Sequence, residues 1–168
     1  LEALHPSMDY PGKRESADKQ RQDNHDLICV LLDTGARYNE ITDLAWTQVD
    51  NAKGTITLHR SKGGKDLVSS MTNRVKEIML RRYNKDAVHV FPNKVGKHNS
   101  TNWWHAALKR ANISSEPSRP TIHDCRHTFA TRMVAAGVGL AEVQHLLGHT
   151  SINSTLIYAH FAPNDTAT

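Results

Sequence analysis

Apolar residues recur along the first third of the chain at the spacing of buried helices. From Asp26 the segment DLICVLLD is apolar enough for a buried helix, and Gly35 is placed to end that helix. A shorter helix is predicted for YNEITDLAW, because Ile41, Leu44 and Ala45 fall on one side of it. We therefore expect two helices here, separated by a glycine turn.

The pattern changes to that of short strands in the middle of the chain. Residues 55–60 and 66–70 favour strands, and the sequence KGGK between them predicts a lysine-rich hairpin turn. The segment AVHVF, residues 87–91, predicts a third short strand that ends before Pro92. We therefore expect one small three-stranded antiparallel sheet.

Helical periodicity dominates the remainder. The predicted helices run from a Thr72 cap to about Tyr83, from Trp103 to Ala111, from TIHDCRHTFATRM to Gly137, over LAEVQHLLG to Gly148, and from a Ser151 cap through Tyr158 and His160. Residues 1–20 show no periodicity, so we predict a linker or arm there and one domain over residues 21–168. The predicted fold class is α+β, mostly α-helical, with one small antiparallel sheet.

Composition narrows the class of protein without deciding it. With 168 residues, of which 38% are hydrophobic and 23% charged, the chain is long enough to bury a core. No run approaches a membrane span and no signal peptide is apparent, so we expect a cytoplasmic protein. Cys29 and Cys125 are then expected to be reduced core residues. A net charge of +4 and a pI near 9.2 permit a polyanionic partner.

The segment TIHDCRHTFATRM places two histidines and an arginine close together in one predicted helix. His123, Arg126 and His127 have the spacing i, i+3 and i+4, which places them on one face. The other face forms an apolar stripe of Ile122, Cys125, Phe129, Met133 and Ala136. The stripe predicts contact with the core, so the polar face must be directed towards something else.

Three further places along the chain carry groups that suit a phosphate. Arg37 in TGARYNE follows a helix end, and the hairpin turn carries Lys62 and Lys65. In LLGHTSINSTLIYAH, His149 follows a helix stop and Tyr158 comes nine residues later. Each alone has a simpler explanation: a surface ion pair of Arg37 with Glu40, solvated lysines, or a tyrosine used for packing.

Taken together, these motifs resemble those of the tyrosine recombinases, or phage-type integrases. That family has an arginine in TG-x-R-x-x-E, a lysine in a β-hairpin, a His-x-x-Arg-His box, an LGH box, and a tyrosine nine residues after the last histidine. All five are present in order, as Arg37, Lys62, His123 with Arg126, His149 and Tyr158. The resemblance covers roughly residues 26–161 and implies that residues 21–168 are the catalytic domain.

The resemblance implies cleavage and rejoining of DNA strands through a 3′-phosphotyrosyl intermediate. Tyr158 would be the nucleophile, and the two arginines, His123 and His149 would bind the phosphate oxygens. We expect His123 to accept the tyrosine proton and Lys62, or alternatively Lys65, to give a proton to the departing 5′ oxygen. His127 and Glu40 would orient catalytic groups. The tyrosyl ester conserves the bond energy, so no ATP, metal or other cofactor is expected.

The same resemblance predicts the substrate, the cellular location and the oligomeric state. The substrate would be a double-stranded attachment site, and the reaction would integrate or excise phage or other mobile DNA in the bacterial host cytoplasm. Full-length members carry N-terminal DNA-binding domains and act as homotetramers on DNA. Since this chain shows no such domain, we expect it alone to bind DNA weakly and with little sequence preference. Family members often place a C-terminal segment on a neighbouring protomer, and since only ten residues follow Tyr158 here, we expect the isolated domain to be a monomer.

Other classes of function remain open from the residues. His145 and His149, with His123, Cys125 and His127, offer metal-ligating atoms, but HLLGH lacks the glutamate of a hydrolytic zinc helix and contains Gly148. A non-catalytic DNA-binding module would share the positive charge, although it needs no tyrosine at this offset. A type IB topoisomerase would share the chemistry and differ in relaxing supercoils.

Overall fold

The computed structural model describes residues 13–59, 66–96, 102–113 and 118–163. The helices in these segments are α1 (Lys13–Thr34), α2 (Tyr38–Thr42), α3 (Asn73–Arg82), α4 (Asn102–Arg110), α5 (Asp124–Ala135), α6 (Leu140–Leu147) and α7 (Asn153–Leu156). The strands are β1 (Val49–Asp50), β2 (Thr55–Leu58) and β3 (Leu67–Ser70), and two 3₁₀ turns cover Trp46–Gln48 and Ala159–Phe161. The prediction of a mostly helical α+β fold is confirmed.

The sheet is antiparallel in the order β1-β2-β3, with Val49 opposite Ile56 and Leu58 opposite Leu67. Ile56 and Leu58 are fully buried while the alternating Thr55 and Thr57 are partly exposed, so one face of β2 packs on the core.

The third strand lies elsewhere than the sequence predicted. Residues 87–91 form no strand of the sheet, because their backbone pairs instead with the connection between α2 and β1. Val90 N–H donates to Leu44 C=O at 2.9 Å, and Trp46 N–H donates to Val88 C=O at 2.9 Å. The third strand is β1, which has only two residues and therefore carries almost no periodic signal.

Helix α1 begins at Lys13, well before the start predicted near residue 26, so residues 13–20 are helical. The middle of α1, just before the predicted start, is held by polar groups. Asp23 accepts hydrogen bonds from Arg82 at 2.7 Å and Asn93 at 3.2 Å, and Lys94 donates to Asn24. Hydrophobic periodicity cannot detect a helix face that is buried against polar partners. The domain division at residue 20 stays a prediction.

The end of α1 is fitted closely against α5. Gly35 has φ +62°, and a Cβ built on it would lie 2.3 Å from a ring carbon of Phe129. Only glycine permits both the left-handed conformation and this approach, which confirms Gly35 as the helix stop. Phe129 also belongs to a buried apolar cluster, whose other members are Ala130, Val134, Val143, Leu147 and Tyr158.

The predicted stripe on α5 is confirmed for Cys125 and Phe129, which are buried. Ala136 is exposed because it follows the last helical residue, where the chain turns at Gly137. Cys29 and Cys125 are buried free thiols, as predicted, and burial raises the pKa of Cys125 to about 12. Among the described residues, no helix is both long and apolar enough to span a membrane.

The last predicted helix is interrupted. Residues 153–156 form one short turn and residues 159–161 another, with bonds from Tyr158 N–H to Thr155 C=O and from Phe161 N–H to Tyr158 C=O. These i to i+3 bonds wind the chain to about three residues per turn, so Thr155 and Tyr158 share one face. Both are buried, and the single α-helix predicted from Ser151 through His160 is wrong.

Candidate active site

Arg126 is held between the C-terminal ends of two helices. Its Nη1 donates to the carbonyl of Gly35, just after α1, at 2.8 Å, and its Nη2 donates to the carbonyl of Leu147, the last residue of α6. Terminal carbonyls of helices lack partners within the helix and carry partial negative charge. The guanidinium is therefore stabilised although Arg126 is only 3% exposed.

His149 is positioned by the same end of α6. Gly148 adopts φ +62° and ends the helix, and the N–H of His149 turns back to the Gln144 carbonyl at 3.0 Å. His149 Nδ1 lies 2.9 Å from the Thr155 hydroxyl. When that hydroxyl donates to Nδ1, the ring proton resides on Nε2, which can then donate to an anion.

Arg37 is fixed by Glu40 through two bonds. The Arg37 backbone N–H donates to one carboxylate oxygen at 2.8 Å, and its Nη1 donates to the other at 2.9 Å. The Glu40 side chain is 4% exposed, whereas that of Arg37 is 40% exposed. The ion pair considered from the sequence is therefore present, and it anchors the guanidinium while leaving part of it accessible.

His123 precedes the first residue of α5 and lies in the field of both arginines. The pKa of His123 is lowered, first by burial and then by the nearby His127 and Arg126. Asp124 has a smaller effect and raises this pKa, and Arg37 has the smallest effect and lowers it. The two arginines, which are far apart in sequence, lie near the same turn after α1, because Arg126 donates to Gly35, two residues before Arg37.

The phenol of Tyr158 is directed towards the same place. The residue is 5% exposed, and its hydroxyl oxygen lies 2.6 Å from His127 Nδ1. Burial raises the pKa of Tyr158, and the nearby charge of Arg126 partly opposes that effect. Tyr158 therefore lies within electrostatic reach of the arginine that is clamped between α1 and α6.

The residue that contacts the Tyr158 phenol oxygen is His127, and not the histidine that the sequence predicted as proton acceptor. His127 was expected only to orient catalytic groups, and His123 to accept the tyrosine proton. The described contact joins Tyr158 to His127, while the His123 and His127 rings meet edge to face with centroids 5.0 Å apart. The spacing on α5 put both histidines on the right face but could not rank them.

Lys62 and Lys65 lie outside the described residues, so their predicted part in the site stays a prediction. A metal centre has no support in the described segments, where no group of three or more His, Cys, Asp or Glu residues is placed to hold an ion. His145, one of the ligands considered, is exposed on α6, and Cys125 is a buried thiol of raised pKa.

The chain is similar in sequence to known proteins. The profile of the phage integrase family matches residues 8–165. A tyrosine recombinase of Thermosipho africanus (strain TCF52B) is 31% identical over 143 residues, which cover 82% of this chain and 50% of the relative. The chain thus spans about half the length of the curated relatives that it matches.

Solved structures give the same fold. The catalytic domain of bacteriophage HP1 integrase matches with a TM-score of 0.67 and 27% identity, covering 85% of this chain and 77% of that one. The XerH site-specific recombinase bound to its difH substrate, in a pre-cleavage complex, matches with a TM-score of 0.66 and 26% identity over 95% of this chain and 47% of that one. The chain therefore belongs to the phage integrase family, as its motifs predicted.

Proposed function

We propose that this chain is the catalytic domain of a site-specific DNA recombinase in which Tyr158 attacks a scissile phosphodiester. The observation that carries the proposal is that Arg126 donates to Gly35, two residues before Arg37, while the Tyr158 hydroxyl lies 2.6 Å from His127, the residue after Arg126. The product would be a 3′-phosphotyrosyl ester and a free 5′ hydroxyl. Reversal by the 5′ hydroxyl of another strand would complete integration or excision of phage or other mobile DNA.

The arginines suit the charge that develops during this reaction. A phosphodiester under attack gains negative charge on its non-bridging oxygens, and a guanidinium donates two parallel hydrogen bonds to such oxygens. Removing one preorganised donor of this kind typically costs about 2.7–4 kcal/mol of transition-state stabilisation. Arg126 meets the requirement for preorganisation because both helix ends fix it before DNA arrives.

Tyr158 can act as a nucleophile only if neighbouring groups favour loss of its proton. With an ordinary pKa of about 10, roughly one tyrosine in a thousand is ionised at pH 7, and burial makes ionisation of Tyr158 harder still. The charge of Arg126 favours the phenolate. The departing 5′ oxygen would take its proton from Lys62, or from Lys65, and the sequence of steps requires no ATP, metal or other cofactor.

The proposed partner is double-stranded DNA. The XerH relative is bound to its difH substrate in its crystal structure, and the net charge of +4 on this chain favours a polyanion. In the full-length protein we propose four copies acting on DNA in the host cytoplasm, and the isolated domain as a monomer. Sedimentation of the full-length protein and of the domain, each with and without DNA, tests these assemblies separately from the chemistry.

Trapping the covalent ester tests the proposed activity. The protein is incubated with a pool of nicked duplexes of randomised sequence, in which the short 5′-hydroxyl fragment is lost after cleavage. We expect an adduct that survives denaturation, and no adduct with Tyr158→Phe. Tyr83→Phe is the matched control, because Tyr83 is 60% exposed. Binding without an adduct, or an adduct that survives in Tyr158→Phe, would overturn the proposal.

A further inference from the structure

The Tyr158 hydroxyl is paired with an imidazole before any DNA is bound. His127 Nδ1 lies 2.6 Å from the phenol oxygen, and the two ring centroids are 5.8 Å apart. A general base must lie about 2.6–3.2 Å from the atom whose proton it takes, and this pair meets that requirement. Because the phenol has a proton to donate, the bond favours the tautomer in which Nδ1 of His127 is unprotonated and Nε2 carries the hydrogen.

The neighbouring imidazole faces a different set of groups. His123 lies at the start of α5, and it responds to the charges of Arg126, Asp124 and Arg37. That surrounding is the place where the phosphate oxygens would bind, and an imidazole there can donate to them. The two histidines of the box therefore have separate surroundings, one at the arginines and one at the phenol.

We propose that His127, through Nδ1, accepts the proton of Tyr158 during cleavage and returns it during rejoining, while His123 serves the phosphate. This inference rests on the proposed function of the domain and names a further catalytic residue in the same site. The proton acceptor is then His127, which follows Arg126, and not His123, which precedes it.

The proposed step balances with the groups in the site. The Tyr158 proton moves to His127 Nδ1 as the phenolate oxygen forms a bond to phosphorus. The bond from phosphorus to the 5′ oxygen breaks, and that oxygen takes its electron pair together with a proton from the general acid, for which Lys62 is predicted. His127 is left as an imidazolium. In rejoining, the 5′ hydroxyl gives its proton back to that general acid as it attacks phosphorus, the tyrosyl ester breaks, and His127 returns the proton to Tyr158.

The position of His127 supports this cycle in both directions. The residue lies on α5 one position after Arg126, whose guanidinium is fixed by two helix ends, so the backbone that carries His127 is fixed with it. The groups that act on the pair are Arg126, whose positive charge favours the Tyr158 phenolate, and His123, whose ring meets that of His127 edge to face.

The first test compares two substitutions at one position. His127→Ala removes the base, and His127→Gln keeps a hydrogen-bonding side chain that cannot take up a proton. We expect both to slow adduct formation about 100- to 10,000-fold in the nicked-duplex assay. Full activity in His127→Gln with a loss in His127→Ala would show that His127 only positions the phenol, and would overturn the proposal. Circular dichroism establishes that each variant is folded.

Chemical rescue separates a base from a structural residue. Imidazole in the buffer is expected to restore part of the rate of His127→Ala, with the restored rate rising as the free imidazole becomes neutral. No restoration at any imidazole concentration, in a variant shown to be folded, would contradict proton acceptance. If the unsubstituted protein forms no adduct, the proposed function fails; if it does and His127→Ala remains within about fivefold of it, only this inference fails.

Substrate chemistry gives a third, independent test. A duplex with sulfur in place of the bridging 5′ oxygen has a leaving group that needs no proton. We expect this substrate to leave the defect of His127→Ala intact, because the phenol must still be deprotonated. Recovery of His127→Ala to the rate of the unsubstituted protein on the sulfur substrate would instead assign His127 to the leaving group and overturn the proposal.

Discussion

Arg126 and Gly35 are 91 residues apart in the chain, yet a guanidinium nitrogen of the first lies 2.8 Å from the carbonyl oxygen of the second. The glycine is required because its own left-handed backbone ends α1 and because Phe129 occupies the place of a side chain. The same turn thus ends a helix, packs on α5 and fixes one arginine of the proposed active site.

Gly35→Ala is expected to destabilise the protein by more than backbone strain alone. The new methyl group would collide with Phe129, and overpacking typically adds about 1–3 kcal/mol to the cost of a left-handed alanine. Gly96→Ala is the matched control, because Gly96 has φ +69° and open space around it. Urea unfolding of both variants measures the difference. Equal losses would contradict the close packing of α1 on α5.

Arg126→Lys is expected to slow adduct formation about 100- to 1,000-fold, because an ammonium cannot make the paired hydrogen bonds of a guanidinium. The rate is measured per folded molecule in the nicked-duplex assay. Arg132→Lys, at an exposed position on the same helix, is expected to leave the rate unchanged. A rate for Arg126→Lys within threefold of the control would remove Arg126 from the transition state.

Glu40→Gln is expected to slow cleavage about 10- to 100-fold, although Glu40 is not proposed to contact the phosphate. The reason is that a neutral amide cannot form the ion pair that holds the Arg37 guanidinium in place. The control is Asp18→Asn, which removes the partner of Arg21 at a more exposed ion pair. Single-turnover cleavage measures both variants. If the Glu40 and Asp18 variants behave alike, the anchoring of Arg37 has no part in catalysis.

The pKa of His123, read from its ring protons by NMR, is expected to lie below the ordinary value of about 6.5. Arg37→Gln removes a positive charge and should raise it, whereas Arg132→Gln should not. Since the folded protein then binds fewer protons at this site than the unfolded chain, His123 lowers stability as the pH falls below about 6.5. An unchanged pKa in Arg37→Gln would contradict the convergence of the two arginines.

The features that the sequence predicted well depend on local chemistry. Gly35 and Gly148 were recognisable as helix stops because a left-handed residue at a helix end favours glycine, and both have positive φ. The order and spacing of the motifs identified the family without any coordinates. The stripe of Cys125 and Phe129 followed from periodicity alone.

The features that were missed depend on partners distant in the chain. Residues 23–24, in the middle of α1, are held by Arg82 and Lys94, which no local pattern links to them. The third strand was misplaced because residues 87–91 pair with a connection and not with the sheet. The bond between His127 and Tyr158 joins residues 31 positions apart, and equal spacing on one helix face gave no reason to prefer His127 over His123.

The most direct measurement locates the covalent bond to DNA by mass spectrometry. Arg132 is the last lysine or arginine in the sequence, so trypsin releases a peptide that begins at Met133 and contains Tyr158 as its one tyrosine. After trapping with the nicked duplexes and nuclease digestion, we expect this peptide to carry a nucleotide attached through a 3′ phosphate to Tyr158. A nucleotide on any other peptide, or on another residue of this one, would contradict Tyr158 as the nucleophile.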